Sequence, residues 1–469
     1  MEKFFKLKEN GTNVRTEFIA GLTTFMAMAY ILMVNPGFFE QLDGVSFGAS
    51  YIATALSAVV GTLLIGLLAN LPLAQASGMG LNAFFVFTVC FGFGFSYANA
   101  LLFVLVDGIV FILLTVTGLR RMIFDAIPNR VKKIIPAGIG LFIAFIGLQD
   151  AGLVVNDDAT LVNLVSFNLL GSASWATVMP LLVTIATLLA IAVLSKKGVR
   201  GSIIIGILGG SAVYYLLGLT VPGFYTDFQL GVSLNPIDAF KDFGTLSLGK
   251  VFTEGFDFSA YLSNHSVTEL VITFATTALA FCMVDMFDTM GTLYGACKTG
   301  NMLLKDENGE YTVVPHMDKA MLADALATCT GAVCGTSTVT TYVESSAGVG
   351  AGGRTGLSAI FTAIFFFIAM FLTPIAALIP ASAYAAALIY VGILMMGCTK
   401  DIKWDKPSVA VPSFLTLAIM PFTYNISYGI AFGLLSHCII QLFSGQGKNV
   451  KPMTWIITAL FTAMFFLTH

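Results

Sequence analysis

The chain has 469 residues, of which 57% are hydrophobic and 10% charged, and a formal net charge of −3. Soluble domains carry roughly 25% charged residues, so this composition excludes a soluble globular protein and indicates a polytopic helical membrane protein. Seven cysteines (90, 282, 297, 329, 334, 398, 438) are scattered through apolar contexts without metal-type spacing, which excludes a zinc module and marks them as reduced packing residues.

In chain order, Met1–Arg15 is polar and basic and the apolar run after it is long enough to span, so no cleavable signal peptide is expected. Apolar runs bounded by charges or turn residues predict spans over 18–34, 48–70, 74–95, 97–119, 134–149, 174–195 and 201–219. A long polar connection, 220–266, divides the chain near its middle. Beyond it, spans are predicted over 267–288, 319–335, 337–352, 355–373, 381–397, 408–421 and 426–443. The expected fold class is therefore an all-α polytopic membrane protein with fourteen transmembrane segments. For the shorter apolar piece 453–467, spanning, docking on the bundle and lying at the interface all remain open. With the N-terminus in the cytoplasm, the inner connections collect nearly every Lys and Arg, including Arg120, Arg121, Arg130, Lys196, Lys197, Arg200 and Arg354, and only Lys241 and Lys250 fall outside.

The two halves echo each other. Thr16-Glu17-Phe18-Ile19 opens the first span and Thr268-Glu269-Leu270-Val271 opens the eighth, and Thr24 and Thr276 keep the same offset. Ile135-Pro136 stands before Ala144–Leu148 as Ile379-Pro380 stands before Ile389–Ile393. Seven spans is an odd number, so two such halves are inverted relative to each other, the mark of alternating-access carriers.

Two of the predicted spans are unlike lipid-facing helices. The tenth, within Gly335–Gly356, is full of Thr, Ser and Gly and carries one carboxylate, Glu344. Polar side chains and irregular backbone at that depth are tolerated only inside the protein or along a watery cavity. The β-branched run Thr338–Thr341 favours extended chain, and the Gly-rich run after Ser346 allows turns and close packing. The pattern reads as a short extended piece leading into a half-helix, with Glu344 near its start, where free N–H groups and the positive dipole end make a ligand cradle. The third span, Ala74–Thr88, has the same features: Pro72 before it, Ser77, Gly78 and Gly80 within it, and Asn82 as the polar side chain at depth.

The eighth span carries Asp285 and Asp288, three residues apart and hence on one helical face. A carboxylate inside a bilayer is a functional-site signature; the structural alternative is a helix-end residue reaching water. Asp288, Asn82 and Glu344 come from spans 8, 3 and 10 and can converge at a midplane site. The cores of these segments hold no Lys, Arg or His, while acceptors are plentiful: the carboxylates, Asn82 and the hydroxyls of Thr338, Thr341 and Ser345. Such a site suits a neutral, donor-rich, planar molecule, or a cation, and Phe84, Phe85 and Phe287 can stack on it. A carboxylate at that depth can load a proton from one side and release it on the other, which makes Glu344, Asp288 and Asp285 the proton-coupling candidates. Elsewhere, Gly244–Lys250 matches the beginning of a phosphate-binding loop, but Val251 stands where the hydroxyl residue belongs. The histidines 265, 316, 437 and 469 form no zinc motif.

The runs Glu17–Phe25, Gly78–Phe84, Val284–Leu293 and Gly335–Val349 resemble the AzgA-like branch of the nucleobase–ascorbate transporter superfamily, the adenine and guanine/hypoxanthine permeases, with a resemblance extending over about residues 4–443. It implies a 7+7 inverted repeat in which spans 1–4 and 8–11 form a substrate-carrying core domain, spans 5–7 and 12–14 form a gate domain and dimer surface, and spans 3 and 10 are each broken into a short strand and a half-helix. The implied parts are 1–149 (core spans 1–4 with gate span 5), 150–219 (gate spans 6–7), 220–266 (an extracellular loop), 267–373 (core spans 8–11) and 374–443 (gate spans 12–14); 444–469, beyond the matched stretch, is expected to be a cytoplasmic or interfacial apolar segment. Matched motif to motif, Asp288 falls on the carboxylate that hydrogen-bonds the base, and the frame Asp288-x-x-Gly291-x-x-Tyr294 prefers it to Asp285. Glu344 falls on the span-10 position that contacts the base. Asn82 falls on the span-3 site segment, whose Ala83-Phe84 backbone also touches substrate. Where much of the superfamily has a further polar residue four positions after the span-8 carboxylate, this chain has Thr292, which weakens the carry-over of a proton relay there.

The expected function is a bacterial inner-membrane importer of purine nucleobases, not an enzyme, driven by symport of protons rather than Na⁺ through an elevator-type mechanism. Its expected binding residues are Asp288, Glu344, Asn82, Ala83, Phe84, Phe287, Ser345 and Thr341. No metal, cofactor or nucleic-acid partner is expected; the partners are the purine, the proton, the lipid bilayer and a second copy across the gate domains. The alternatives are an anion transporter of the related fold and a uracil- or xanthine-type permease.

Overall fold

Helix starts in this protein are fixed by side chains at the capping position. The side-chain oxygens of Asn13, Ser46, Ser174, Thr355 and Asn425 each accept a hydrogen bond from a backbone N–H two or three residues on. Ser266 and Glu269 form a reciprocal capping box. Each satisfies a donor that a helix end leaves unpaired. The computed structural model describes residues 2–117, 128–225, 235–305 and 311–467. Arg120, Arg121, part of the 220–266 connection and His469 lie outside the described residues.

Among the described residues, nine helices are long and apolar enough to cross a membrane: Val14–Phe39, Phe47–Ala69, Tyr97–Thr117, Arg130–Asp150, Trp175–Lys196, Val267–Thr299, Gly356–Ala376, Ala381–Lys400 and Ile426–Phe443. Met79–Gly92, Ser202–Gly218, Pro407–Phe422 and Pro452–Ala463 are shorter apolar helices. Large apolar side chains on their outer faces, such as Leu113, Leu189 and Phe443, are exposed, as lipid contact requires. The first long segment is interrupted: Val14–Met28 and Ile31–Phe39 meet at Ala29–Tyr30. The helix predicted to end at 288 runs to Thr299, 33 residues in all, which at 1.5 Å per residue is about 50 Å. That exceeds a hydrocarbon core of about 30 Å, so Asp285 and Asp288 sit within the helix rather than at its end.

Six short strands accompany the helices: β1 (Gln75–Ser77), β2 (Val154–Asp157), β3 (Leu161–Leu164), β4 (Leu304–Lys305), β5 (Tyr311–Val313) and β6 (Val339–Thr341). The β2–β3 and β4–β5 hairpins are additions to the expected all-α class. In the first, Asp157 accepts hydrogen bonds from the N–H groups of Ala159 and Thr160, which closes a tight turn between the two strands. β1 and β6 differ from these: both are completely buried and pair antiparallel, with Gln75 opposite Thr341, Ala76 opposite Thr340 and Ser77 opposite Val339. Short helices follow each, Met79–Ala83 after β1 and Ser345–Gly350 after β6. Strand pairing supplies partners for backbone groups that would otherwise be orphaned at this depth.

The helices pack in matched couples. Phe47–Leu64 lies against Met317–Cys334; Tyr97–Thr117 lies against Met317–Cys334, and Gly356–Ala369 against Phe47–Leu64. A second set couples Asn129–Asp150 with Ala381–Met395 and Pro407–Phe422, Trp175–Lys196 with Ser202–Gly218, and Pro407–Phe422 with Ile426–Phe443. Small residues permit the closest approaches: a Cβ on Gly356 would stand 1.9 Å from the carbonyl oxygen of Gly66, and one on Gly392 would stand 2.3 Å from that of Gly140. The C-terminal piece docks on the bundle: Pro452–Leu467 packs on Ile426–Phe443 and Val267–Thr299, with Ile457 and Phe461 buried.

Candidate binding cavity

The helix Val267–Thr299, β1 with Met79–Ala83, and β6 with Ser345–Gly350 meet at the interrupted first segment, and a cavity of about 40 Å³ opens there. Tyr30, Gly80, Asp288, Thr341, Tyr342 and Glu344 line one side; Ile139, Ile143, Val391 and Met395 face them from the second set of helices. Each polar wall residue is held by the fold. Glu344 occupies the cap position of Ser345–Gly350, but its carboxylate makes no bond to that helix. It turns instead to Tyr30, whose hydroxyl donates to Oε1 at 2.6 Å. Asp288 accepts from the Thr340 hydroxyl at 3.3 Å. The Tyr342 hydroxyl donates to the carbonyl of Ser77, and the Thr341 hydroxyl donates to Asp324 at 3.2 Å. Among the described residues that line the cavity there is no Lys, Arg or His.

Asp288, Glu344 and Thr341 are thus brought together on one cavity, whereas the other five expected binding residues, Asn82, Ala83, Phe84, Phe287 and Ser345, are not among the residues that line it. Asn82 donates to the carbonyl of Ser77 at 3.3 Å and accepts from the Ser77 hydroxyl at 2.7 Å, locking the turn between β1 and its helix. Ser345 accepts the N–H of Ala74 at 3.0 Å and ties the start of Ser345–Gly350 to the residue before β1. Ala83 is buried, Phe84 packs edge-on against Phe281 with ring centroids 4.9 Å apart, and Phe287 is buried within the core. Asp285 points elsewhere: Thr328 donates to its Oδ2 at 3.4 Å, away from the cavity. Residues three apart diverge by about 60° on a helix, enough to send the two aspartates to different neighbours.

Tyr30, Tyr342 and the apolar wall from 139–143 and 391–395 were not among the sequence candidates. Tyr30 carried one usable signal, a polar-tipped aromatic next to Asn35-Pro36 in an otherwise apolar run. The Gly244–Lys250 stretch makes no phosphate cradle: Lys250 is ion-paired with Glu254 one turn on.

Residues 15–432 match the model of a family described as a permease family. The chain is 38% identical to a putative permease of Methanocaldococcus jannaschii, across 99% of this chain and 98% of that one. It is 37% identical to the guanine/hypoxanthine permease PbuO of Bacillus subtilis, across 99% of this chain and 100% of that one. With the adenine permease AdeP of Escherichia coli the identity is 34%, across 98% and 95%. Among solved structures, the transmembrane domain of the cyanobacterial bicarbonate transporter BicA superposes with a TM-score of 0.58 at 15% identity, covering 92% of this chain and 97% of that one. SLC26A9 superposes with a TM-score of 0.61 at 12% identity, covering 92% of this chain and 66% of that longer one. At such identities the likeness is one of fold.

Proposed function

The chain belongs to this permease family, in its nucleobase–ascorbate transporter branch, and from that premise we propose that it imports purine nucleobases by proton symport across a bacterial inner membrane, with its N-terminus in the cytoplasm. The observation that carries the reading is the pairing of Asp288 and Glu344 on one cavity with apolar walls. A purine offers ring N–H donors, joined in adenine and guanine by an exocyclic amino group, which carboxylates accept, and two flat faces, against which the cavity residues Ile139, Ile143, Val284 and Val391 can pack. An anionic substrate would meet two carboxylates and no basic side chain, so the bicarbonate-transporter fold does not bring anion transport with it.

The matched helix couples support a 7+7 inverted repeat of fourteen spans, with the β1 and β6 segments as the broken third and tenth. On this reading spans 1–4 and 8–11 make a core that holds the base, and spans 5–7 and 12–14 make a gate. The cavity lies between the two sets, so a movement of the core against the gate would reshape it, in keeping with an elevator motion.

The test is uptake of labelled adenine, guanine, hypoxanthine and uracil into proteoliposomes, with and without an inward proton gradient and in the absence of Na⁺. Gradient-driven accumulation of a purine is expected, and Glu344→Ala should abolish it at unchanged protein level. No purine response, or normal uptake by Glu344→Ala, overturns the assignment.

A further inference from the structure

Behind the cavity lie three carboxylates that purine binding does not use. Asp107 on Tyr97–Thr117, Asp285 on Val267–Thr299 and Asp324 on Met317–Cys334 are each 0% exposed. Asp324 accepts from Gln75 Nε2 at 2.9 Å, from the Thr289 hydroxyl at 2.8 and 2.9 Å, and from Thr341 at 3.2 Å. Asp107 accepts from Thr338 at 3.4 Å. Asp285 accepts from Thr328 at 3.4 Å, and Thr289, one turn on along the same helix, donates to Asp324, so the two carboxylates stand on facing stretches of Val267–Thr299 and Met317–Cys334.

Further atoms call for the same ligand. Asp107 Oδ1, Asp285 Oδ1 and Gln75 Oε1 are buried and find no donor among the described residues. Gln75 is itself 0% exposed, and its Nε2 donates to both Asp324 and Thr341, which holds this side chain against the cluster. The ion pairs among the described residues all lie at the surface and include neither Asp107 nor Asp285. The other titratable groups at the cluster are Cys282 beside Asp107, Cys329 against Gly108, and Asp288 one turn beyond Asp285; β1 and β6 contribute only Gln75 and threonines. Carboxylates such as Asp107 and Asp285, buried in a bilayer interior and outside the ion pairs of the described residues, are stable only when protons neutralise part of their charge.

We propose that Asp107, Asp285 and Asp324 bind the co-transported proton, in a site separate from the carboxylates that bind the base. This rests on the symport reading above. In each cycle one carboxylate of the cluster takes up a proton from the outer side and returns it to the inner side, with no other bond made or broken. β6 links the two sites. Thr341 lines the cavity, its hydroxyl donates to Asp324, and its N–H donates to Thr289 Oγ1 at 3.4 Å. Occupancy of the cavity and protonation of the cluster therefore act on the same strand.

The experiment compares proton-driven accumulation with purine counterflow at zero gradient in proteoliposomes of the parent, Asp324→Asn and Asp107→Asn. Both variants should lose about tenfold in accumulation ratio, retain counterflow, and show a flattened pH dependence of counterflow. Accumulation at the parent level by either variant overturns the inference. Loss of counterflow together with accumulation in both variants also overturns it, because the cluster would then serve binding or folding. A parent that exchanges purine but never accumulates it on a proton gradient refutes the symport reading itself, and that outcome shows before any substitution is made.

Discussion

If Asp288 and Glu344 bind the base as proposed, Tyr30 is the side chain that positions Glu344. It sits at the interruption of the first segment, is fully buried, and donates to Glu344 from 314 positions away in sequence. A hydrogen bond to a charged group contributes about 1.5–3 kcal/mol, and about 1.4 kcal/mol is tenfold in an equilibrium constant. Tyr30→Phe keeps the ring and removes the donor, so the KM of purine uptake should rise roughly tenfold while the thermal unfolding midpoint of the purified protein stays close to the parent's; an unchanged KM would mean that Tyr30 does not position Glu344. Depth alone exposed Asp288 and Glu344 in the sequence, because a carboxylate between apolar runs has few uses other than a site. The same rule applied to Asp107 and Asp324 would have flagged both, within the spans predicted at 97–119 and 319–335. Tyr30 and Tyr342 stayed hidden because a tyrosine in an apolar run also satisfies ordinary packing.

At the scale of elements, side chains near helix ends decide the joints. Glu17 is fully buried and accepts from the N–H groups of Arg354 and Ser358, at 2.9 and 3.1 Å, so the first helix caps the start of Gly356–Ala369. Its counterpart in the sequence echo, Glu269, is instead a surface capping-box residue; the repeated motif marks a helix start, and the neighbours determine what the carboxylate does there. Where Gly356–Ala369 crosses the segment beyond Phe47–Leu64, the backbones touch, so Gly356→Ala drives a methyl into the Gly66 carbonyl. A cost of about 1–3 kcal/mol is expected for such overpacking, visible as a lowered thermal midpoint in detergent. Gly350→Ala, where a Cβ meets nothing within 4 Å, should behave as the parent does. Equal midpoints for the two variants would show that this crossing is soft. β6 was legible as an extended piece from its β-branched run and β1 only through the family resemblance, whereas their pairing was not legible, since each is only three residues long and its partner lies more than 250 positions away.

For the whole molecule, the two sets of helices meet at the cavity, where a Cβ on Gly80 would stand 2.5 Å from Ile139 Cγ2. If transport moves one set against the other, tying them together stops it. Oxidising the double variant Gly80→Cys/Ile139→Cys should abolish uptake and reduction should restore it, with each single variant as control. None of the seven native cysteines is exposed, which keeps the background low. Full uptake by a protein shown by mass to be cross-linked would exclude the sliding motion.

By itself the sequence determined the membrane class, the positions of most apolar segments, the two polar stretches around Asn82 and Glu344, and the family. Those properties are written in local composition and short motifs, which any window of the chain displays. The span-8 motif already preferred Asp288; the tertiary structure alone decided that Asp285 turns to Thr328, that Asn82, Ser345, Phe84 and Phe287 do not line the cavity, and that Tyr30 bonds Glu344. Helical periodicity places a side chain on a face but does not say what lies opposite, and here the partners opposite come from segments hundreds of residues away.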